Sequence, residues 1–344
     1  MIDYPRGRMK LLVVILNYNV TDLTIDCLRS LSTRIQEVPG ARVALVENGS
    51  GSEALERLRA VIAENGWGAW VDLIPVHPNR GFTGGNNIAI RAAQASVDPA
   101  EYYLLLNADT LVHDGALSSL VDLMDRVPRA GIAGSQLLDL EGKVQASPFR
   151  FQSLASEFDG GLRIGLVSKL LRRWWIVPPT PKQATSVEWV SGASMILRGT
   201  MLAEIGLLDE GLYTYFDDND LCMRARRAGW ETWYEPKSRV IHLEGASTGI
   251  TRRVIKRRPA YWFQARQRYY LKNYGALRTL GIDAAFIVGF SLFRVHSRLR
   301  GLPDNDPPHM LADFIRHSVF CTGFRVREVE NPALRSVAES RPAS

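Results

Sequence analysis

Cysteine is scarce in this 344-residue chain, which has only Cys27, Cys222 and Cys321, set far apart. That excludes a disulfide framework and a thiolate metal cluster, and it fits a reducing compartment. No run of about 20 apolar residues occurs, so no membrane-spanning helix is predicted. The nearest stretch, Ile282 to Phe293, reads either as a core helix or as one lying in a membrane interface. The first ten residues are polar and lack the apolar centre of a signal peptide, and the expected location is therefore the cytoplasm. No internal repeat appears. What the chain does have is enough apolar residue (46%) to build a sizeable core, which excludes wholesale disorder. Its net charge of +6 is compatible with nucleic acid, anionic lipid or phosphorylated substrates, and charge alone does not choose among them.

The first half alternates strand and helix signals. Continuous apolar runs at Leu11–Leu16, Ala41–Val46, Val71–Val76 and Tyr102–Leu106 predict strands buried on both faces. Between and after them, helical spacing predicts helices following Asp22, over Ser52–Glu64, over Gly84–Ala95 and over Gly115–Arg126. The alternation predicts an α/β fold with a mostly parallel sheet flanked by helices, whose ligands bind beyond the carboxyl ends of the strands. From about 145 to 186 the rhythm is lost. This segment carries Lys169, Arg172, Arg173, Trp174 and Trp175 before three prolines, and it reads as variable and acceptor-facing. Glu188–Leu197 predicts another strand, Leu221–Ala228 a helix stopped by Gly229, and Thr232–Tyr234 and Val240–Ile241 two short strands. The expected division is a domain over 9–249, a basic helical extension over 250–331 opening with Arg252, Arg253, Lys256, Arg257 and Arg258, and a frayed tail over 332–344.

Polar residues collect where strands end: Asn17-Tyr18-Asn19, Glu47-Asn48-Gly49-Ser50 and Asn107-Ala108-Asp109. One such end is an ordinary turn; three on one edge of a parallel sheet define a site. The glycine-rich run Asn79 to Asn87 opens a helix and includes Gly81 and Asn86. It is suited to close backbone approach by an anion, but its spacing matches neither the phosphate loop of nucleoside triphosphatases nor the dinucleotide fingerprint. Asp109 is placed either to hold a divalent cation bridging a diphosphate or to cap the following helix. Asp217, Asp218 and Asp220 form the densest acidic cluster, more than a helix dipole requires, and mutual repulsion there favours a carboxylate able to accept a proton. His242 follows a short apolar strand and is a further candidate cation ligand.

In this order the motifs resemble the family 2 glycosyltransferases of GT-A fold, over roughly Leu11 to Ser247. Within that family the Trp189-Val190-Ser191-Gly192-Ala193 segment and the Asp217–Asp220 block look most like bacterial rhamnosyltransferases of cell-envelope assembly. The resemblance implies that Asp109 is the metal-binding acid of an Asp-x-Asp motif whose first position is here Asn107. It implies that His242 is a second metal ligand and Asp218 the catalytic base. Glu47 stands where an Asp contacts the nucleotide. Asn17, Asn19, Asn79, Gly81 and Asn86 fall on the donor side, and Trp189, Gly192 and Asp217 on the acceptor side. The implied reaction is inverting transfer of a sugar, rhamnose first, from a nucleotide-diphosphate sugar (dTDP-rhamnose or a UDP-sugar) to a hydroxyl of a glycan or polyprenyl-diphosphate-linked acceptor. It would be assisted by Mg²⁺ or Mn²⁺ and carried out peripherally on the inner face of the bacterial membrane, and nucleic acid is not an expected partner. The alternatives are a nucleotidyltransferase, which would carry a basic glycine-rich loop after the first strand, and an inactive nucleotide-sugar-binding protein, which would lack the acids.

Overall fold

Leu11–Asn17 forms β1 at the interior of the sheet, its first five side chains wholly buried, as an apolar run without alternation requires. α1 (Thr21–Ser32), β2 (Arg42–Glu47), α2 (Ser52–Glu64), β3 (Val71–Pro75), α3 (Gly81–Gln94) and β4 (Tyr102–Asn107) follow, and β1 to β4 pair only in parallel. The structure, a computed structural model, describes residues 9–243 and 256–331. The boundary expected at 249, Arg252 and Arg253 of the basic cluster, and the tail 332–344 lie outside these residues.

The second half continues with β5 (Thr110–Val112), α4 (Ala116–Arg126), β6 (Ala130–Leu138), β7 (Pro148–Phe149), α5 (Leu154–Leu162), α6 (Gly165–Leu170), β8 (Thr185–Val187), β9 (Trp189–Val190), β10 (Ser194–Arg198), α7 (Gly199–Ile205), α8 (Asp217–Arg227) and β11 (Glu231–His242). Nine strands join in one sheet ordered β3-β2-β1-β4-β10-β6-β11-β5, with β8 also on β11, while β7 and β9 pair separately. Antiparallel pairing is confined to the strands added beyond β4. Leu11, Val13 and Ile15 pack against α1 and α4 through Leu28, Leu31, Leu120 and Met124. Leu12 and Val14 pack on the other face against α3, α7 and α8 through Ile90, Met201 and Leu221. The period-two alternation of β1 thus feeds two cores.

Several local expectations are corrected. α3 starts at Gly81, not Gly84, and α8 starts at Asp217, so the acids occupy its first turn instead of preceding it. The strand expected over Glu188–Leu197 is two strands, broken at Ser191-Gly192-Ala193. The two strands expected near His242 are one, because β11 absorbs Pro236 in an irregularity between Glu235 and Arg239 while keeping its pairing to β6.

The chain ends in α9 (Ala260–Leu299), α10 (Met310–His317) and α11 (Val319–Thr322). Non-helical backbone at Gly275 (φ 76°, ψ 176°) divides α9 in two. The segment expected to be variable and acceptor-facing supplies α5, which lies against α9. A Cβ on Gly161 would stand 2.8 Å from Phe286 O, and one on Gly289 2.4 Å from Phe158 O, so two glycines permit the approach. Arg266, buried there, is clamped by Glu157 (2.8 Å) and Asp283 (2.6 Å), the pairing on both sides that a buried guanidinium needs. The apolar stretch seen at Ile282–Phe293 belongs to a longer helix. By length and composition α9 could cross a membrane, and only 28% of its apolar window is buried. Leu277, Val288, Leu292, Val295 and Leu299 are exposed on it at helical spacing.

Candidate active site

Parallel register brings the predicted strand ends together: Asn17 stands opposite Glu47, and Asn107 opposite Leu16, next to Asn17. Much of this wall is already engaged. Asn17 accepts from Thr24 Oγ1 (2.8 Å) and donates to Ser50 Oγ (3.2 Å), while the backbone N–H of Asn19, at φ 57°, donates to the same hydroxyl (3.0 Å). Glu47 accepts from the backbone N–H groups of Ser50 (2.6 Å) and Gly49 (3.4 Å) in its own turn. Asn48 donates to Asn79 Oδ1 (3.0 Å) and Gly81 O (3.1 Å) and accepts from Arg80 N (3.0 Å). Asn79 Oδ1 also accepts from Gly81 N (2.7 Å), and Asn86 donates back to Phe82 O within α3 (2.8 Å). Asn79, Gly81 and Asn107 open into a cleft of about 640 Å³, whereas Asn17, Glu47 and Asn86 are buried outside its lining and Asn19 is exposed outside it.

At the junction of β4, β5 and β11, Asp109 Oδ1 is 3.5 Å from His242 Nε2, which is 3.4 Å from Asn107 Nδ2. Antiparallel pairing of His242 with Thr110 makes this contact. Among the described residues no group of three His, Cys, Asp or Glu converges as a complete metal cage. Asp109 and His242 are chemically suited to hold a divalent cation, which would need further oxygen ligands from outside the chain.

Across the cleft, Asp217, Asp218 and Asn219 project from the first turn of α8, preceded by Tyr213, Tyr215 and Phe216, all three in the left-handed region. Asp218 Oδ1 accepts from Asn219 N (2.8 Å) and Oδ2 from Gly192 N (3.2 Å), so the break between β9 and β10 helps aim this carboxylate. Burial pushes the pKa of both Asp217 and Asp218 above the ordinary carboxylate range, and for Asp217 the charge of Asp218 adds to it. Neither is paired with a cation among the described residues. Asp220, in the same turn, differs: Arg224 (2.9 Å), Lys272 (2.9 Å) and Asn273 (2.8 Å) surround it. Trp189 lines the same side, stacked on Phe149 with ring centres 4.1 Å apart.

Sequence reasoning missed the aromatic wall. Tyr261 and Trp262 come from the start of α9 and line the cleft beside Tyr215 and Phe216, with Tyr215 and Tyr261 stacked at 6.1 Å. The Tyr213–Phe216 run beside the acids was the available signal; nothing local marked 261–262. A second groove of about 700 Å³, lined by Pro178, Pro179, Pro181 and Glu188, holds neither Asp218 nor His242, so the chemistry belongs to the first.

A sheet whose parallel strand ends face an acid-bearing helix across a cleft, with an Asn-x-Asp turn beside a histidine, defines a sugar transferase of GT-A fold. The chain belongs to the family described as glycosyltransferase like family 2, whose model matches residues 7–268. It is 27% identical over 231 residues to the N-acetylglucosaminyl-diphospho-decaprenol L-rhamnosyltransferase of Mycobacterium tuberculosis, covering 61% of this chain and 74% of that one. It is 25% identical over 168 residues to the rhamnosyltransferase WbbL of Escherichia coli, covering 47% of this chain and 60% of the relative. The crystal structure of GalNAc-T7 with UDP, GalNAc and Mn²⁺ superposes with a TM-score of 0.55 at 16% identity, over 87% of this chain and 59% of that one, which supports the fold.

Proposed function

We propose that the protein transfers a sugar, rhamnose first among the options, with inversion from a nucleotide-diphosphate sugar to a hydroxyl of a polyprenyl-diphosphate-linked glycan of the cell envelope. The observation that carries this reading is Asp218, a half-buried carboxylate held by two backbone N–H groups and open to the cleft that also exposes His242. The names of the M. tuberculosis and E. coli relatives support the sugar, and the former supports the acceptor class.

The chemistry follows from the placement. Asp218 takes the proton from the acceptor hydroxyl as its oxygen attacks the anomeric carbon. The sugar–phosphate bond breaks on the opposite face, so the configuration inverts with one base and no covalent enzyme intermediate. Its two backbone donors hold the carboxylate in one orientation, and burial raises its pKa above the ordinary carboxylate range. Asp109 and His242 are the residues that would hold a divalent cation, Mg²⁺ or Mn²⁺, which when bound offsets charge on the departing diphosphate. Asn107 Nδ2 lies 3.4 Å from the same His242 Nε2 that faces Asp109, so the three side chains meet at one ring nitrogen. Trp189 and the Tyr213–Phe216 wall exclude water and offer faces to the acceptor sugar.

Peripheral attachment to the inner membrane leaflet accompanies this reading. The exposed apolar stripe of α9, with Leu166 and Leu170 of α6 beside Lys169, Arg172 and Arg173, supports it, since apolar area and basic residues together favour anionic bilayers. The test of function is a panel of dTDP- and UDP-sugars with Mn²⁺ or Mg²⁺ and a short polyprenyl-diphosphate N-acetylglucosamine. Transfer from dTDP-rhamnose, abolished by chelator, with an inverted linkage by proton NMR, is expected; a retained linkage refutes the mechanism. Sedimentation with anionic vesicles at low salt tests attachment, and protein left in the supernatant refutes it.

A further inference from the structure

Partly or fully buried arginines in the C-terminal part are matched to carboxylates: Arg266 with Glu157 and Asp283, Arg268 with Asp209, and Arg294 with Asp304. Arg258 breaks this pattern. It has no acidic partner among the described residues, and its Nε is buried without any hydrogen-bond partner. Its guanidinium lies over the Trp262 ring, 4.4 Å from the centroid, and Tyr215 is the neighbouring polar group that acts on its charge. Trp262 and Tyr215 both line the cleft. Lys256, exposed, adds a second cation two residues away.

An unmatched guanidinium beside a substrate cleft is a feature that a ligand anion resolves. Leaving a buried donor unpaired costs stability, and an arginine held against an aromatic ring with no hydrogen bond to a described residue has its terminal N–H groups free to meet phosphate oxygens. The donor's diphosphate belongs at the Asp109–His242 corner, beside the ends of β4 and β11. Arg258 belongs to the other wall. The Phe216 ring, on the residue before Asp217, is centred 5.7 Å from the Trp262 ring, and the Arg258 guanidinium is 4.4 Å from that same ring, so Trp262 links the acid-bearing turn to the cation. A glycosyl residue whose hydroxyl reaches Asp218 bridges that separation and brings its own anomeric phosphate to the arginine.

We propose that Arg258, seated on Trp262 at the acceptor wall, is the anion subsite that holds the acceptor's diphosphate and thereby selects diphosphate-linked over uncharged acceptors. The inference rests on the transferase reading above and adds to it the residue and the class of anion.

The experiment compares farnesyl-diphosphate-linked N-acetylglucosamine with uncharged octyl N-acetylglucosaminide, in wild type, Arg258→Ala and Arg258→Lys. The ratio of KM for the charged acceptor to KM for the uncharged one should rise about tenfold or more in Arg258→Ala, the effect of one lost charge-assisted hydrogen bond, with part recovered by lysine. Calorimetry with farnesyl diphosphate alone, without donor, should show the same loss of affinity. This arm stands even if neither acceptor is turned over, an outcome that would refute the proposed function and not the subsite. An equal change for both acceptors, or unaltered farnesyl diphosphate binding, overturns the proposal. Loss of the thermal stabilisation given by nucleotide sugar in Arg258→Ala would assign the arginine to the donor. Loss of retention on anionic vesicles with an unchanged KM ratio would assign it to a lipid headgroup. Either result also overturns the proposal.

Discussion

The two walls of the cleft use polar side chains in opposite ways. On the wall built by β1, β2 and α3, Asn17, Glu47, Asn48 and Asn79 satisfy one another and the backbone of their own turns. On the wall built by α8 and the start of α9, Asp217, Asp218 and Arg258 are buried or partly buried charges without a counter-charge among the described residues. The first wall is finished in shape before substrate arrives; the second is electrostatically incomplete. Within α8 the same contrast is repeated two residues apart. Asp220 turns inward to Lys272 and Asn273, whereas Asp218 faces the cleft, as positions i and i+2 of a helix must diverge.

If that contrast is right, changes on the incomplete wall will affect turnover and those on the finished wall will not. Asp218→Asn should lower turnover by about a hundredfold or more while nucleotide sugar still raises the melting temperature, because acid–base catalysis contributes at least that much. Near-normal turnover would move the role to Asp217. In wild type the raised pKa of Asp218 means that its basic form is lost as pH falls, from above the ordinary carboxylate range. The acidic limb of the kcat profile should therefore lie higher than for an exposed carboxylate, and a flat profile between pH 5 and 8 would contradict it.

Asp109→Ala should weaken binding of nucleoside diphosphate with Mn²⁺ about tenfold or more by calorimetry, with little change in melting temperature, since its described side-chain contact is His242 at 3.5 Å. Unchanged affinity would leave Asp109 as a structural partner of His242, since β5 follows it and α4 begins only after Gly115.

Lys272→Met should act on stability instead. Lys272 and Arg268 hold Asp209 against burial, which alone would raise it, and bring its pKa from 3.8 to about 2. A depressed pKa contributes stability that is complete above the unfolded value and is lost as pH falls from 3.8 towards 2. Removing the lysine should cost about 1–2 kcal/mol at neutral pH and move the acid-unfolding midpoint upward. An unmoved midpoint would show that the network is not coupled to folding.

The smallest effect is expected from Glu47→Gln, which keeps one acceptor oxygen for Ser50 N–H. Donor affinity should change less than about threefold, with a stability loss under about 1 kcal/mol. A loss matching that of Asp109→Ala would make Glu47 a nucleotide contact and dissolve the contrast between the walls.

How far the sequence could be read depended on how local the cause was. β1, β2 and β4 were legible because a strand buried on both faces must be continuously apolar, and their polar ends then fell together by parallel register. Asp109, Asp218 and His242 could be singled out by position, and the structure places Asp218 and His242 on one cleft with Asp109 against the histidine. The start of α3 was misplaced because Gly81-Phe82-Thr83 has no helical apolar spacing, although Gly81 is set by contact with a distant loop. The split at Gly192 was hidden inside an apolar stretch, and its use as a donor to Asp218 depends on a contact 26 residues away in sequence. Tyr261, Trp262 and the Lys272–Asp220 pair are tertiary facts: 52 positions separate the latter partners, and no periodicity encodes them.

Gly81 carries one more consequence. A Cβ there would stand 2.4 Å from the Tyr213 ring, about an ångström inside ordinary contact, on a residue at φ +71°. The glycine-rich loop and the aromatic loop therefore meet backbone to ring, like the two leaves of a clasp with no gasket between them. The spacing of the leaves is set at that point by the absence of a single methyl group. A tolerance of one carbon atom thus sets the width at this edge of the cleft, and a side chain at 81 would push the aromatic loop away from the glycine-rich one.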